Sequence, residues 1–148
     1  MLISQTLARN IKTSKSNLRK MGRILELVVE GITKSGGCFI DKMGVAYYNR
    51  VDGTRDPIGH LLKVPDLKGH FGTIDAEAQK PLVRKIANNF GLNLSREPER
   101  KKFVGFLQSL QDAHDELFDK FNNKEPEENL IPLFRGKCNQ IANEMGIV

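Results

Sequence analysis

The sequence predicts an α+β fold in which about four helices pack around a small antiparallel β-hairpin. Apolar residues recur at spacings of three and four positions in several long segments, a pattern typical of amphipathic helices. Residues 38–48 differ, because isoleucine, valine and aromatic side chains flank a turn-forming Asp-Lys-Met-Gly sequence, which favours a hairpin. The 148 residues, of which 39% are hydrophobic and 28% charged, suit one globular domain.

The first helix is predicted to begin near Ser16 and to end before the Gly36-Gly37 pair. Either Ser14 or Ser16 is a suitable N-cap, since a serine hydroxyl accepts a hydrogen bond from a free backbone amide. The apolar face of this helix consists of Leu18, Met21, Ile24, Leu25, Val28 and Ile32. We therefore expect one side of the helix to pack against the core.

A short helix is predicted to begin at Asp56, after a turn at Asp52-Gly53. Aspartate is a favoured N-cap, and Pro57 has the fixed φ angle that suits the first helical position. The buried side of this short helix is expected to consist of Ile58, Leu61 and Leu62.

Three longer helices are predicted in the second half of the chain. After a loop over residues 64–72, a helix opens at Thr73 or Asp75 and closes at Gly91. The longest helix follows Ser95, and a polar, acidic loop separates it from the last helix. Apolar residues at helical spacing run along both of these last helices.

The charge is distributed unevenly, although the formal net charge is only +5. A basic N-terminal arm, residues 1–15, is expected to be loosely held, and residues 16–148 form the single domain. The candidate phosphate-binding residues of the arm and first helix are Arg9, Lys12, Lys15, Arg19, Lys20 and Arg23. No acid occurs among residues 1–23, whereas residues 109–148 hold eight acids and four bases. Such an arm is typical of nucleic-acid binding, and a solvated terminus is the alternative interpretation.

The sequence favours a cytoplasmic protein that is not inserted into a membrane. No apolar segment approaches the roughly 20 residues that a membrane-spanning helix needs. Polar residues interrupt the first ten positions, so a secretory signal peptide is not expected. Cys38 and Cys138 are the two cysteines, and we expect them to be free thiols in a reducing compartment.

His114 and Asp115 are the catalytic candidates, because they lie in the middle of the longest predicted helix. His114 is four positions after Leu110 and three before Leu117, which places it on the apolar face. It is therefore either a hydrogen-bonded core residue or a base that projects into a cleft. Asp115 is turned by about 100° from it and is either a solvated residue or a support for the imidazole.

A metal site is a second interpretation of the polar residues. The possible ligands are Cys38, Asp56, His60 and His114, whose sulfur, oxygen and nitrogen donors zinc accepts. The chain has none of the short Cys or His spacings that define known zinc motifs, so no cofactor is predicted and zinc is the alternative. Cys38 paired with a histidine would suit a nucleophile, but a free cysteine at a strand start is more often a small buried residue.

A recognition surface is predicted beside the hairpin. Its residues are Tyr48, Arg50, Arg55 and His60. Arginine next to tyrosine suits a phosphate group or a ring system. The alternative is that Arg50 pairs with Asp52 or Asp56 and only stiffens the hairpin.

Two segments carry a resemblance that covers roughly residues 22–148. The first reads Tyr48-x-Arg50, Asp52-Gly53 and Ile58-Gly59-x-Leu61-Leu62, and the second reads Leu107-x-x-Leu110-Gln111-x-x-His114-Asp115. This arrangement resembles a group of small uncharacterised bacterial and phage proteins for which no activity is established. The chain departs from that pattern at Asp56, where the resemblance implies cysteine. An aspartate at this position can still bind a metal, but it cannot form a disulfide.

The combined prediction is a non-enzymatic binding module, a phage or mobile-element accessory protein that acts on a host protein or a nucleic acid. The alternative is a metal-assisted hydrolase that uses His114 and Asp115 with Asp56 and His60. Both interpretations require that residues 38–62 and 107–115 meet in the folded protein. The sequence leaves the oligomeric state open.

Overall fold

The computed structural model describes residues 15–34, 55–67, 72–122 and 127–147, and these residues form helices connected by short turns. The five α-helices within these described ranges are α1 (Lys15–Lys34), α2 (Val64–Leu67), α3 (Lys80–Phe90), α4 (Glu97–Asn122) and α5 (Glu127–Met145). Two 3₁₀ turns, Gly59–Leu61 and Glu77–Gln79, precede α2 and α3.

The predicted α+β class is wrong, because the described residues contain helices and no β-strand. The predicted hairpin, residues 38–48, lies outside the described residues. The prediction depended on the β propensity of that one segment, and such propensity is a weak guide without knowledge of the packing. The core that the structure describes is made by helix-on-helix packing instead.

The longest packing interface joins α4 to α5, and α1 packs against α5 and against the Gly59–Leu61 turn. Phe103, Phe106 and Leu110 of α4 and Phe134 of α5 are almost completely buried. All four lie on the apolar face that the sequence predicted for their helix. The helical periodicity of this half of the chain is therefore confirmed.

The predicted boundaries of α1 and the predicted start of α4 agree closely with the structure, and α3 differs at its start. Residues 73–76 form turns, and α3 begins only at Lys80, with Pro81 in its first turn. Proline suits that position because it has no amide hydrogen to leave unpaired. Gly91 ends α3 as predicted, with a left-handed φ of 68° that a glycine adopts without strain.

The segment predicted as a loop after Leu62 contains the short helix α2. Leu67 of α2 is buried, which explains why this segment is held against the core. Within the described ranges, no helix is both long and apolar enough to span a bilayer.

Candidate functional site

Asp56 organises the turn that carries His60. Its Oδ1 accepts a hydrogen bond of 2.7 Å from the backbone amide of Gly59, three residues further on. The Asp56 side chain thus binds a backbone amide of this turn as the Asp-Pro sequence predicts, but the predicted short helix is only the three-residue 3₁₀ turn Gly59–Leu61, which Ile58 precedes. Ile58 is fully buried beneath it. The local sequence thus fixes the position of the turn on the core.

Gln111 connects this turn to α4 and to a third segment. Its Nε2 donates to Oδ2 of Asp56 at 3.2 Å and to the carbonyl of Gly72 at 3.3 Å. Its Oε1 accepts a bond of 2.8 Å from the amide of Ile74. With 1% of its surface exposed, Gln111 is a buried amide whose donor and acceptor sides are both used. The two segments that the sequence singled out therefore meet at Asp56 and Gln111.

Gln108 holds the same loop one helical turn earlier. Its Oε1 accepts from the backbone amide of Asp75 at 3.2 Å, and its Nε2 donates to Asp112 at 2.9 Å. Gln108 is partly exposed, whereas Gln111 is buried. The backbone amides of Ile74 and Asp75 thus donate hydrogen bonds to Gln111 and Gln108 of α4, respectively.

His60 packs against the backbone of α1 at Gly31. A Cβ atom at Gly31 would lie only 2.6 Å from Nδ1 of the imidazole, closer than real Cβ contacts allow. The histidine therefore depends on a residue without a side chain at that position. Among the described residues, the buried Nε2 of His60 has no hydrogen-bond partner. Burial, followed by the positive charge of Arg55 and the proximity of His114, lowers the pKa of His60 to about 4.

His114 is buried in the α4–α5 interface, with 3% of its surface exposed. Its ring meets the ring of Phe134 edge to face, with centroids 6.3 Å apart. Nδ1 lies 3.7 Å from Oδ1 of Asp115, whose side chain is 45% exposed. The burial of His114 favours its interpretation as a core residue over its interpretation as a base in an open cleft.

Asp56 has an unusual electrostatic environment. Burial raises its pKa from 3.8 to about 6, and the hydrogen bonds from Gly59 and Gln111 oppose this increase only in part. His114 lowers the pKa slightly and Asp115 raises it. The cluster of Asp56, His60, Gln111 and His114 is therefore a buried polar junction that disfavours charge on Asp56 and on His60.

The predicted recognition surface is only partly visible. Nη1 of Arg55 lies 3.5 Å from the carbonyls of Gly59 and Leu62, so the guanidinium lies along the turn that Asp56 caps. Tyr48 and Arg50 lie outside the described residues. Arg55 and His60 are thus brought together, while their predicted partners stay untested.

The metal interpretation gains no support from the described ranges. They contain no group of three or more histidine, cysteine, aspartate or glutamate side chains that is suited to hold a metal ion. Both carboxylate oxygens of Asp56 are used by Gly59 and Gln111. Cys38 lies outside the described residues, and Cys138 is a buried thiol of α5 whose pKa is raised to about 12 by burial.

A second candidate site lies at the start of α1, where Asn17 connects two basic segments. Nδ2 of Asn17 donates to the carbonyl of Asn93 at 2.8 Å and to Oε2 of Glu99 at 2.9 Å. Its Oδ1 accepts from the amide of Asn93 at 3.0 Å. Nearby, Nζ of Lys20 donates to the carbonyl of Gly91 at 2.6 Å. The start of α1 is thereby fixed to the connection between α3 and α4.

We call the part of the molecule where these two segments are joined the basic end. It comprises Lys15, Arg19, Lys20 and Arg23 of α1 with Arg96, Arg100, Lys101 and Lys102 near the start of α4. Most of these side chains are exposed, and the nearby acids are Glu26, Glu97 and the buried Glu99. Arg9 and Lys12, which were predicted to belong to the same surface, lie outside the described residues.

Sequence analysis missed three residues that hold these sites together. Gln111 was recognised only as part of a motif, although its spacing of four from Leu107 and three from His114 places it on the buried face. Asn17 occurs one position before an apolar repeat and gave no signal of its own. Gly31 lies within a predicted helix, where glycine lowers helix stability. Its presence there was the one indication in the sequence that another group approaches the helix closely.

The chain has no match among protein-family models, curated proteins or solved structures. The resemblance to small bacterial and phage proteins therefore stays a prediction.

Proposed function

We propose that the protein is a non-enzymatic binding module whose basic end binds the phosphate backbone of a nucleic acid. The observation that carries the proposal is the set of Asn17 hydrogen bonds, which hold the basic start of α1 next to the basic segment at the start of α4. The segments are separated by more than 70 positions in sequence. A cytosolic location is part of the proposal, since the nucleic acid must be accessible.

The charge distribution supports binding to an anion. Residues 80–102 hold seven basic residues and two acids, whereas residues 103–147 hold four basic residues and eight acids. The two parts of the chain thus carry opposite net charge. Neutralisation of phosphates by lysine and arginine releases condensed counterions, so such a surface binds nucleic acid without reading its sequence.

Lys15, Arg19 and Arg23 of the basic end have exposed side chains. Arg23 pairs with Glu26 at 3.5 Å, but the two side chains are 65% and 73% exposed. Exposed ion pairs of this kind contribute between about 0 and 1 kcal/mol, so a phosphate can replace the carboxylate at little cost. Lys20 already donates to a backbone carbonyl and therefore has a defined position.

The hydrolase alternative has weaker support. It requires Asp56 and His60 to act with His114 and Asp115, yet Asp56 binds Gly59 and Gln111 and forms part of the structural junction. His114 is buried against Phe134. A base that acts on a substrate must reach the reacting atom within hydrogen-bond distance.

The test is the salt dependence of binding to a 20-base-pair duplex DNA and to a duplex RNA of the same sequence, measured by fluorescence anisotropy. We expect the logarithm of the binding constant to fall with the logarithm of salt concentration with a slope of about −4, which corresponds to four or five neutralised phosphates. The double variant Lys15→Glu/Arg19→Glu should lose at least about tenfold in affinity and reduce the slope by about two.

The matched control is Lys63→Glu/Arg135→Glu, which makes the same change in net charge with two exposed residues outside the basic end. It should retain most of the affinity. Failure of both duplexes to bind at about 50 mM salt would refute the proposal, as would an equal loss in the control. Binding to one duplex only would show which nucleic acid is the partner.

A further inference from the structure

A groove of about 850 Å³ lies between one face of α3 and one face of α4. The lining residues of each helix are spaced by three or four positions, or are adjacent, and therefore lie on one face. They are residues 80, 83, 84, 87 and 88 of α3 and residues 97, 100, 101 and 104 of α4. The connecting segments around Ile74 and Leu92 also border the groove. We call this feature the α3–α4 groove.

The length of the groove suits a short helix. The contributing residues of α3 extend over eight rises of about 1.5 Å, or about 12 Å, which is close to the length of two helical turns. A helix of that length presents apolar side chains at positions i, i+3, i+4 and i+7, which is how an amphipathic helix binds in a groove.

The floor of the groove is apolar and aliphatic. Val83, Ala87 and Leu92 are buried, and Leu94 and Val104 are partly buried against the core. Among the described residues that line this groove, none has an aromatic side chain. Proteins that bind single-stranded nucleic acid stack its bases on aromatic rings, so this floor suits aliphatic side chains of a peptide better than bases.

The rim is predominantly basic. Lys80, Arg84, Arg100 and Lys101 face two acids, Asp75 and Glu97. Lys101 pairs with Glu97 at 3.5 Å, but both side chains are largely exposed, so a carboxylate of a partner can compete for the lysine.

Arg100 has a fixed position on this rim. Its Nη1 donates to the carbonyl of Leu94 at 3.0 Å and to that of Ser95 at 2.9 Å. Both bonds use the same nitrogen, which leaves Nε and Nη2 of the guanidinium to bind a carboxylate. Because the side chain is already ordered, binding costs less conformational entropy.

From the apolar floor, the basic rim and the two-turn length, we propose that the α3–α4 groove binds an acidic amphipathic helix of a partner protein. This inference does not rest on the binding of nucleic acid by the basic end. It assigns a protein partner to a groove whose charge is complementary to acidic side chains.

The test uses two synthetic helical peptides of about 14 residues with identical composition. The first carries leucine at i, i+3, i+4 and i+7 and glutamate around that face, and the second distributes the same leucines around the helix. We expect the first to bind with a Kd of about 10 to 100 μM and the second at least about tenfold more weakly, as measured by fluorescence anisotropy. Equal binding of the two peptides would overturn the proposal, because charge alone would then explain it.

Variants of the groove test whether the first peptide binds there. Arg84→Glu on the rim and Val104→Asp on the floor should each weaken the first peptide at least about fivefold, whereas Lys63→Glu should change its affinity less than about twofold. Leu94→Ser tests the floor again if Val104→Asp fails to fold. Unchanged affinity in Arg84→Glu and in a folded floor variant would exclude the groove.

Two other occupants have distinct signatures. Self-association in sedimentation that a folded floor variant abolishes would assign the groove to a second copy of the chain and overturn the proposal. The proposal would also be overturned if the floor variant lost as much affinity for a single-stranded oligonucleotide as for the peptide. Retention of duplex DNA binding by the same variant would show that nucleic-acid binding does not need the apolar floor, although Arg100 and Lys101 belong to both the basic end and the rim.

Discussion

Nε2 of Gln111 lies 3.2 Å from Oδ2 of Asp56, although 55 positions separate the two residues in the chain. This bond joins the middle of α4 to the turn that carries His60. The same glutamine binds Gly72 and Ile74, so one side chain holds three segments together. Asp56, which is one of the polar residues that suggest chemistry in the sequence, thus belongs to a hydrogen-bonded junction in the folded protein.

Replacement of Gln111 should show how much this junction contributes to stability. Gln111→Ala leaves the amide of Ile74 and the carboxyl group of Asp56 buried without these bonds, and each lost partner costs about 1 to 3 kcal/mol. We expect the free energy of unfolding, measured with urea, to fall by about 3 kcal/mol. Gln108→Ala removes a similar bond from a partly exposed residue and should cost less than about 1 kcal/mol. Similar losses in the two variants would contradict the special role of Gln111.

Gly31→Ala tests the contact with His60. The added Cβ lies 2.6 Å from Nδ1, so the imidazole or the helix must move, at a cost of about 1 to 3 kcal/mol in the free energy of unfolding. Gly105→Ala is the control, since no atom lies within 4 Å of its added Cβ, and alanine there should stabilise α4 by up to about 1 kcal/mol. In the double variant Gly31→Ala/His60→Ala the clash is removed, and thermal denaturation should show a non-additive recovery. Additive effects would show that the two residues do not interact.

Asp56 and His60 make opposing contributions to the pH dependence of stability. For Asp56, the pKa of about 6 in the folded protein exceeds 3.8, so the folded state holds the extra proton between these values and the free energy of unfolding falls as the pH rises. For His60, the pKa of about 4 lies below 6.5, so the unfolded state holds the extra proton and the free energy of unfolding rises with pH. Between about pH 4 and 6, folding therefore releases a proton from His60 and binds a proton at Asp56.

Single variants should reveal each contribution. In His60→Asn, only the Asp56 contribution of the two remains. The free energy of unfolding should then fall more steeply between pH 4 and 6 than it does in the parent protein. The contribution of Asp56 to this decrease should be about 3 kcal/mol. In Asp56→Asn the His60 contribution remains, and the change with pH should have the opposite sign. Urea denaturation at several pH values measures both. Parallel pH profiles for the parent and the two variants would refute the assignment.

Asn17→Ala should weaken the attachment of α1 to the α3–α4 connection. The variant removes the bonds to Asn93 and leaves Glu99 with one donor fewer, and we expect a loss of about 2 kcal/mol in the free energy of unfolding. Asn89→Ala replaces an exposed asparagine of α3 and should change that free energy by less than about 0.5 kcal/mol. Equal effects in chemical denaturation would show that Asn17 is not the connecting residue.

Cys138 should be unreactive while the protein is folded. The thiol is 3% exposed and burial raises its pKa to about 12, so little thiolate is present at neutral pH. In a Cys38→Ser variant, in which Cys138 is the remaining thiol, modification by Ellman's reagent should be at least about 100-fold slower in buffer than in denaturant. Rapid labelling of the folded variant would contradict the burial of this side chain.

The sequence by itself determined the four longer described helices, α1, α3, α4 and α5, and several of their ends. The apolar spacing that defines α1, α4 and α5 is local, and so are the Asp56 cap and the glycine that ends α3. The β propensity of residues 38–48 is also local, but it predicted the wrong fold class. Propensity does not say against which surface a segment packs.

Only the tertiary structure decided what the polar residues do. Gln111 finds its partners 37, 39 and 55 positions away, and Asn17 finds its partners 76 and 82 positions away. A buried amide must satisfy its hydrogen bonds, yet the sequence does not identify which distant backbone or carboxyl group will do so. That choice depends on how the helices pack, and packing also places the catalytic candidate His114 in the α4–α5 interface against Phe134.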